Sequence, residues 1–156
     1  MAAGYLQQFW KLVYAALGTI IRHPISGTSI VPVMPDGRIV LIKRRDTNQW
    51  ALPGGIIDWG EDIRSTVYRE MEEETGLQVT QIRRLVGVYS KPLRDPRFHS
   101  VCIVVEATVD GDFAVQDTLE VKDIKAFVPA EIPLDDLSHD HGEQLRDYFS
   151  GETILA

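Results

Sequence analysis

The most informative part of the chain is GGIIDWGEDIRSTVYREMEEETGL, residues 54 to 77. Two adjacent glycines open it, and they permit close backbone approach to a ligand or dihedrals that other residues avoid. From residue 61 to about residue 75, Ile63, Val67 and Met71 recur every four residues, the spacing of one apolar helix face. Gly76 is the expected C-terminal stop. The segment therefore predicts a glycine-rich loop followed by an amphipathic helix.

Three glutamates share one face of the predicted helix. Glu70, Glu73 and Glu74 stand at i, i+3 and i+4, so their carboxylates rise within reach of one another, whereas Glu72 points elsewhere. Two carboxylates 4 Å apart repel by about 4 kcal/mol at an effective dielectric constant near 20, and a third worsens the repulsion. Such a face is either solvated surface with basic residues nearby or a site for a hard divalent cation such as Mg2+.

The spacing around these glutamates extends the pattern. Gly55 is followed by five residues and Glu61, then by seven residues and REMEEETGL at residues 69 to 77. This arrangement resembles the Nudix box at every defined position. The resemblance implies an α+β fold, a Nudix-type α/β/α sandwich in which the box forms a loop-helix-loop beside a mixed β-sheet. It also implies a division into a helical extension, residues 1 to 24, and a Nudix hydrolase domain, residues 25 to 156.

The resemblance also implies roles for individual residues. The family reaction is hydrolysis of a pyrophosphate bond with Mg2+, or Mn2+ in its place, and water as the nucleophile. The positions that the family uses for the metal correspond here to Glu70, Glu73, Glu74 and the backbone carbonyl of Gly54, with Glu70 or a later glutamate acting as the base. Arg69 would orient its neighbouring glutamate, and Glu61 would support the helix start, where a capping role would suit it. Gly55 and Gly76 would be structural.

The rest of the chain predicts a sheet with helices on its faces. Strand-like runs cover residues 28 to 34 and 38 to 43, and the turn signal Pro35-Asp36-Gly37 joins them as a hairpin. Three further runs lie at residues 80 to 89, 100 to 109 and 124 to 128. A final helix begins near Asp140, which is placed to cap it. One α+β domain with a mixed sheet accommodates this order.

The segment between the strand-like runs at residues 80 to 89 and 100 to 109 indicates the substrate preference. Pro92 lies fifteen residues after Leu77, and the run from residue 94 to residue 97 resembles the ADP-ribose pyrophosphatase group, although Phe98 stands where a glycine is common. The resemblance implies conversion of ADP-ribose to AMP and ribose 5-phosphate. The alternatives are hydrolysis of nucleoside triphosphates or dinucleoside polyphosphates, and a non-catalytic module that senses ADP-ribose.

Side chains of this segment and two aromatic residues are the candidate substrate contacts. Arg94 and Arg97 could bind phosphate or stack on adenine, and Asp95 could accept from ribose hydroxyls. Equally, the three could pin a long surface loop through mutual ion pairs. Trp50 and Tyr89 are candidate platforms for stacking a base, or partly buried aromatics.

Two further features lie in the C-terminal third. Glu120 precedes the last predicted strand, where many Nudix enzymes place an acidic residue on a loop over the metals; the competing interpretation is a solvated loop glutamate. His139 and His141 form a His-x-His pair that could be mistaken for a metal site. Because Asp140 lies at a predicted helix start, we expect a local structural role for the pair.

The composition and the N-terminal segment limit the kinds of partner that the protein can have. A net charge of -7 disfavours duplex nucleic acid but allows a phosphorylated nucleotide bridged by a cation. The lone Cys102 in an apolar run indicates a buried thiol and suits a reducing cytoplasm. Residues 4 to 21 predict a helix that is poor in the basic residues of a membrane-surface helix. Its most apolar stretch, residues 12 to 21, covers about half of the ~20 residues that a membrane-spanning helix requires. It could pack on the chain's own sheet, but we favour a homodimer contact.

Overall fold

The structure is a computed structural model that describes residues 23 to 156. The predicted helix at residues 4 to 21, and with it the dimer contact, lies outside this part. None of the helices within it combines the length and apolar composition needed to cross a bilayer. The strands are β1 (Ile25–Val33), β2 (Ile39–Arg44), β3 (Trp50–Ala51), β4 (Gln78–Tyr89), β5 (Ser100–Asp110), β6 (Val121–Phe127) and β7 (Ile154–Leu155), and the helices are α1 (Ile63–Thr75), α2 (His141–Ser150) and a short 3-10 helix (Pro129–Glu131).

The strands form one mixed sheet, as predicted. Its order is β3-β2-β1-β5-β4-β7, and β6 pairs with β2. β1 and β2 form the predicted antiparallel hairpin, β4 and β5 are antiparallel, and β1 runs parallel to β5. In the parallel pair Ile25 lies opposite Ser100 and Val33 lies opposite Thr108. The amino ends of β1 and β5 therefore meet at the same edge of the sheet.

One helix packs on each face of the sheet, which confirms the sandwich. Successive residues of a strand point to opposite faces, so neighbours in β1 enter different cores. Ile30 packs with Val67 and Met71 of α1. Val31 packs in the other core with Leu145 of α2. Burial on both faces explains why the second half of β1, residues 30 to 33, is a continuous apolar run rather than an alternating one.

The ends of the elements differ from the predictions in places. Helix α1 begins at Ile63 rather than Glu61, because the carboxylate of Asp62 accepts a hydrogen bond from the backbone N–H three residues later, at 2.7 Å. It ends at Gly76, as predicted, with φ at 74°. Strand β6 begins at Val121, three residues before the predicted start. The two-residue strands β3 and β7 were not predicted, since so short a run has no detectable period.

Candidate active site

A cavity of about 390 Å³ opens where the amino ends of β1 and β5 meet. Its walls come from the start of both strands, the glycine loop before α1, α1 itself, the β4–β5 loop, the segment before β6 and the start of α2. This volume is typical of a small-molecule site. Among the residues singled out from the sequence, those that line the cavity are Gly54, Gly55, Arg69, Glu70, Glu73, Glu74, Arg94, Asp95, Arg97, Phe98, Cys102, Glu120, His139 and His141.

The glutamates of α1 differ in burial and therefore in acidity. Glu74 is 3% exposed and accepts a hydrogen bond from the backbone N–H of Gly54 at 2.8 Å, whereas Glu73 is about half exposed. Burial raises the pKa of Glu74 to about 8; the Gly54 N–H opposes the shift, and the charges of Glu70 and Glu120 add to it. Burial likewise raises the pKa of Glu70, although Arg69 opposes the shift. Both buried carboxylates lack much of the solvation that a charged group needs.

Arg69 ties the glutamates together. Its Nε and Nη2 each lie 2.9 Å from an oxygen of Glu61, and its Nη1 lies 2.7 Å from Glu70 and 3.2 Å from Glu73. Hydrogen bonds from Arg69 lower the pKa of Glu61 to about 2. The N-cap of α1 is Asp62, so the predicted capping role for Glu61 is wrong. Glu61 instead holds the guanidinium that orients Glu70.

At each of the two glycines before α1, a side chain would collide with a neighbouring atom. Gly54 has φ at 147°, and a Cβ there would lie 2.2 Å from the carbonyl oxygen of Thr28. A Cβ on Gly55 would lie 2.2 Å from Oε1 of Glu70. A larger residue at either position would therefore push the loop off β1 or displace a cavity carboxylate.

The donor set fits a hard divalent cation. Within residues 23 to 156, no three histidine, cysteine, aspartate or glutamate side chains already converge as a metal site. Arg69 lies on Glu70 and Glu73, which accounts for the lack of convergence. Even so, one oxygen each of Glu70 and Glu74 has no donor among the described residues. Three carboxylates facing one cavity, two of them buried and incompletely bonded, have the chemistry that Mg2+ or Mn2+ prefers.

Glu120 reaches the same cavity from the opposite wall. The backbone N–H of Arg45 donates to its carbonyl at 2.9 Å, and its own N–H donates to the carboxylate of Asp117 at 3.2 Å. Its charge raises the pKa of both Glu70 and Glu74, which shows that the carboxylates are close enough to interact. The geometry is compatible with a role as ligand or base.

Arg94 and Asp140 form a nearly buried ion pair that anchors the β4–β5 loop to α2. Nε and Nη2 of Arg94 donate to the two oxygens of Asp140 at 2.8 and 2.7 Å, and Nη1 donates to Ser100 at 2.6 Å. The Arg94 side chain is 8% exposed. Asp140 holds the N-cap position of α2, but its side chain makes no capping hydrogen bond, contrary to the prediction. The protein thus pairs the charge of Arg94 and uses three of its five N–H donors.

Asp95 and Arg97 form a second pair within the same loop. Nε and Nη2 of Arg97 donate to the two oxygens of Asp95 at 3.0 and 2.8 Å. Arg97 also lies over the ring of Phe98, and its side chain remains half exposed. The Asp95–Arg97 pair agrees with the interpretation that ion pairs hold this loop in place. The exposed part of the Arg97 side chain could still contact a phosphate or a base.

Neither Trp50 nor Tyr89 lines the cavity, so their predicted role as stacking platforms is corrected. Tyr89 is 2% exposed, lies in the core under α2 and donates from its hydroxyl to Asp147 at 2.9 Å. Trp50 packs edge-on against Phe127, with the two ring centroids 5.0 Å apart. Both rings are used by the hydrophobic core.

The histidine pair takes part in the cavity, which the sequence did not indicate. Nδ1 of His141 accepts a hydrogen bond from the backbone N–H of Leu52 at 2.9 Å, across 89 residues of chain. His139 adopts φ of 54°, which is rare for a residue other than glycine. Cys102 is buried, as predicted, and its sulfur lies 3.2 Å from the hydroxyl of Ser29. Nothing in the local spacing of these residues reveals their convergence.

Comparisons with known proteins agree with this geometry. The model of the NUDIX domain matches residues 23 to 148. An ADP-ribose pyrophosphatase of Methanocaldococcus jannaschii is 38% identical over 117 residues, 72% of this chain and 66% of that protein. A putative 8-oxo-dGTP diphosphatase of Bacillus subtilis is 31% identical over 108 residues, 69% of each chain.

A solved structure shares the architecture. The crystal structure of a MutT NUDIX hydrolase from Burkholderia pseudomallei superposes with a TM-score of 0.70 at 29% identity, covering 81% of this chain and 98% of that one. The domain match spans most of the described residues, including α1 and the cavity. The chain therefore belongs to the Nudix hydrolase family.

Proposed function

We propose that this chain hydrolyses the pyrophosphate bond of a nucleoside diphosphate derivative, converting ADP-ribose to AMP and ribose 5-phosphate with Mg2+, or Mn2+ in its place. The observation that carries the proposal is that Glu70, Glu73 and Glu74 face one cavity together with the β4–β5 loop. Carboxylates and a diphosphate repel each other unless a divalent cation lies between them. The glutamates would hold that cation, and the remaining cavity would hold the substrate.

The reaction needs little covalent chemistry from the protein. A divalent cation supplies a more acidic water and neutralises charge on the leaving phosphate. The water oxygen forms a bond to one phosphorus, the bond from that phosphorus to the bridging oxygen breaks, and the water proton passes to a carboxylate. Glu70 and Glu120 are the candidates for this base. Glu70 is held by Arg69 and has a raised pKa, which suits a proton acceptor near neutral pH.

Two observations support ADP-ribose as the substrate, and one favours a competitor. Pro92 stands fifteen residues after Leu77, the spacing of the ADP-ribose pyrophosphatase group, and the archaeal relative bears that name. The Bacillus relative is named for 8-oxo-dGTP, which makes a nucleoside triphosphate the second candidate. A module that only senses ADP-ribose is the third, and the complete glutamate set argues against it.

A release assay over a nucleotide panel tests the proposal. The full chain is incubated with ADP-ribose, dGTP, 8-oxo-dGTP and a dinucleoside polyphosphate, with Mg2+, with Mn2+, and with a chelator. We expect ADP-ribose to have the highest kcat/KM, and chelation to abolish activity reversibly. A higher kcat/KM for a triphosphate would overturn the substrate assignment, and binding of ADP-ribose without turnover would favour the sensing module.

We also propose a homodimer formed through residues 4 to 21, a cytoplasmic location and a domain boundary at residue 24. These three proposals rest on the sequence pattern alone. The net charge of -7 argues against duplex nucleic acid as the partner and does not exclude a phosphorylated small molecule bridged by a cation. Neither a membrane nor a second protein is needed for the proposed reaction.

A further inference from the structure

His141 is a histidine whose proton position is determined by the fold. It is 8% exposed at the first turn of α2, and its Nδ1 accepts the backbone N–H of Leu52 at 2.9 Å. A neutral imidazole carries one N–H and one acceptor nitrogen. Since Nδ1 is the acceptor here, the proton of the neutral ring is on Nε2. The ring is therefore a donor of fixed orientation.

The His141 ring also stays neutral. Burial lowers its pKa to about 3, and the charges of Arg94 and Arg44 act in the same direction. A charged ring would in addition lose the Leu52 hydrogen bond, because both nitrogens of an imidazolium are donors. At physiological pH this side chain can bind a ligand only by donating a hydrogen bond from Nε2.

That donor has no protein partner in the described part of the chain. No hydrogen bond reaches Nε2 of His141, although the residue lines the cavity. Beside it, with the ring centroids 5.9 Å apart, His139 has an Nε2 that is buried and also without a partner. Buried polar side-chain atoms almost always have a partner. Nε2 of His141, in contrast, is not fully buried, so the polar group of a ligand in the cavity can reach it.

His141 lies close enough to the glutamates of α1 for one substrate molecule to contact both. The segment from Leu52 to Gly54 carries both contacts: the Leu52 N–H binds His141, and the Gly54 N–H binds Glu74. Two residues of extended chain span at most about 7 Å, so Nδ1 of His141 lies no more than about 13 Å from the Glu74 carboxylate. A nucleotide whose diphosphate lies at the glutamates reaches this far with its sugar or base.

The charges at this end of the cavity favour a neutral group over a phosphate as the matching group. The charge of Arg94 is already paired with Asp140, and the guanidinium uses three of its five N–H donors on Asp140 and Ser100. The neutral His141 adds no positive charge. A phosphate here would stand without a counter-charge, whereas a hydroxyl, a carbonyl or a ring nitrogen needs only one donor.

We propose that the Nε2–H of His141 donates a hydrogen bond to a neutral acceptor on the sugar or base of the substrate, forming a specificity subsite in the cavity that the glutamates also line. The inference rests on the proposed function for its substrate class. It assigns His141 to binding alone, because a neutral ring whose Nδ1 already accepts the Leu52 N–H has no free nitrogen to accept the proton of the attacking water.

The test uses the full chain and two substitutions at His141. One keeps an acceptor for the Leu52 N–H without the Nε2 donor, and the other restores a donor near the Nε2 position. His141→Asn keeps an oxygen near the Nδ1 position for the Leu52 N–H and removes the Nε2 donor, whereas His141→Gln places an amide nitrogen near the Nε2 position. His99→Asn is the matched control, because the His99 side chain is exposed, hydrogen-bonds only the Ser90 carbonyl and does not line the cavity. Affinity is measured by calorimetry with Mg2+ and a non-hydrolysable ADP-ribose analogue in which a methylene group replaces the bridging oxygen, and kcat and KM are measured with ADP-ribose and Mg2+.

We expect His141→Asn to raise Kd and KM about 10-fold with kcat nearly unchanged, the effect of one lost hydrogen bond, and His141→Gln to recover most of the affinity. Unchanged Kd and KM in His141→Asn, with a wild-type melting temperature, would overturn the proposal.

A ligand-side experiment is independent of whether the variants fold. ADP-ribose analogues that each lack one sugar hydroxyl or one adenine ring nitrogen are bound to the wild-type protein, and one of them should lose about 10-fold in affinity. That analogue should lose nothing further on His141→Asn. If every analogue binds as ADP-ribose does, the subsite does not exist. If the wild type neither binds nor hydrolyses any nucleotide of the panel, the proposed function fails and the subsite fails with it.

Discussion

Replacing Glu74 with glutamine should stabilise the metal-free protein at pH 8 even though it disables the site. In the folded protein the pKa of Glu74 is raised to about 8 from an ordinary value of 4.5, chiefly by burial. The folded state then binds a proton that the unfolded state has released, so stability falls as pH rises from about 4.5 to about 8. The full difference corresponds to a loss of as much as about 5 kcal/mol. Glutamine cannot ionise and still offers an oxygen to the Gly54 N–H.

Urea unfolding in chelator, at pH 5 and at pH 8, measures this effect. We expect Glu74→Gln and the wild type to be similar at pH 5, and the variant to be more stable by several kcal/mol at pH 8. Glu72→Gln, an exposed position on the same helix, is the matched control and should follow the wild type. Saturating Mg2+ should close the gap by stabilising the wild type alone. An equal difference between variant and wild type at both pH values would refute the reasoning.

The remaining predictions concern turnover, stability and assembly. Glu73→Gln should lower kcat at least about 100-fold with the fold intact, as expected for loss of a metal ligand, and normal kcat would remove it from the metal set. Glu120→Gln should lower kcat with little change in KM, and a normal kcat would make Glu120 a bystander. Arg94→Gln should lower the free energy of unfolding by about 3 kcal/mol, because it leaves a largely buried carboxylate unpaired; a loss below about 1 kcal/mol would contradict this. Deleting residues 1 to 22 should give a monomer by light scattering, and a monomeric full-length protein would refute the dimer.

The features that were predicted well are those produced by contacts close together in the chain. The face formed by Glu70, Glu73 and Glu74 follows from helix geometry, and the end of α1 at Gly76 follows from backbone conformation. Both depend on residues within one or two helical turns. The precise start of α1 was missed by two residues, because an aspartate and a glutamate stand side by side and only the backbone shows which of them caps the helix.

The features that were missed depend on strand faces and on distant pairings. Trp50 and Tyr89 were candidates for the cavity, with partly buried aromatics as the alternative; Tyr89 lies in the core, and Trp50 is partly buried and packs against it. A change of one residue in strand register moves a side chain to the opposite face of the sheet, and a two-residue strand such as β3 contains no period from which to infer the face. The sequence offers aromatic residues near a site without showing which way they point.

Taken alone, the sequence determined the family, the helix that carries the carboxylates and the mixed sheet with its covering helices, because local periodicity and spacing carry that information. The tertiary structure decided which other side chains share the cavity. The Arg94–Asp140 pair joins positions 46 residues apart, and the Leu52–His141 contact joins positions 89 apart. Such pairs form only after the parallel pairing of β1 with β5 and the packing of α2 on the sheet bring their backbones together. No short window of residues encodes that juxtaposition, so the polar end of the cavity became visible only in three dimensions.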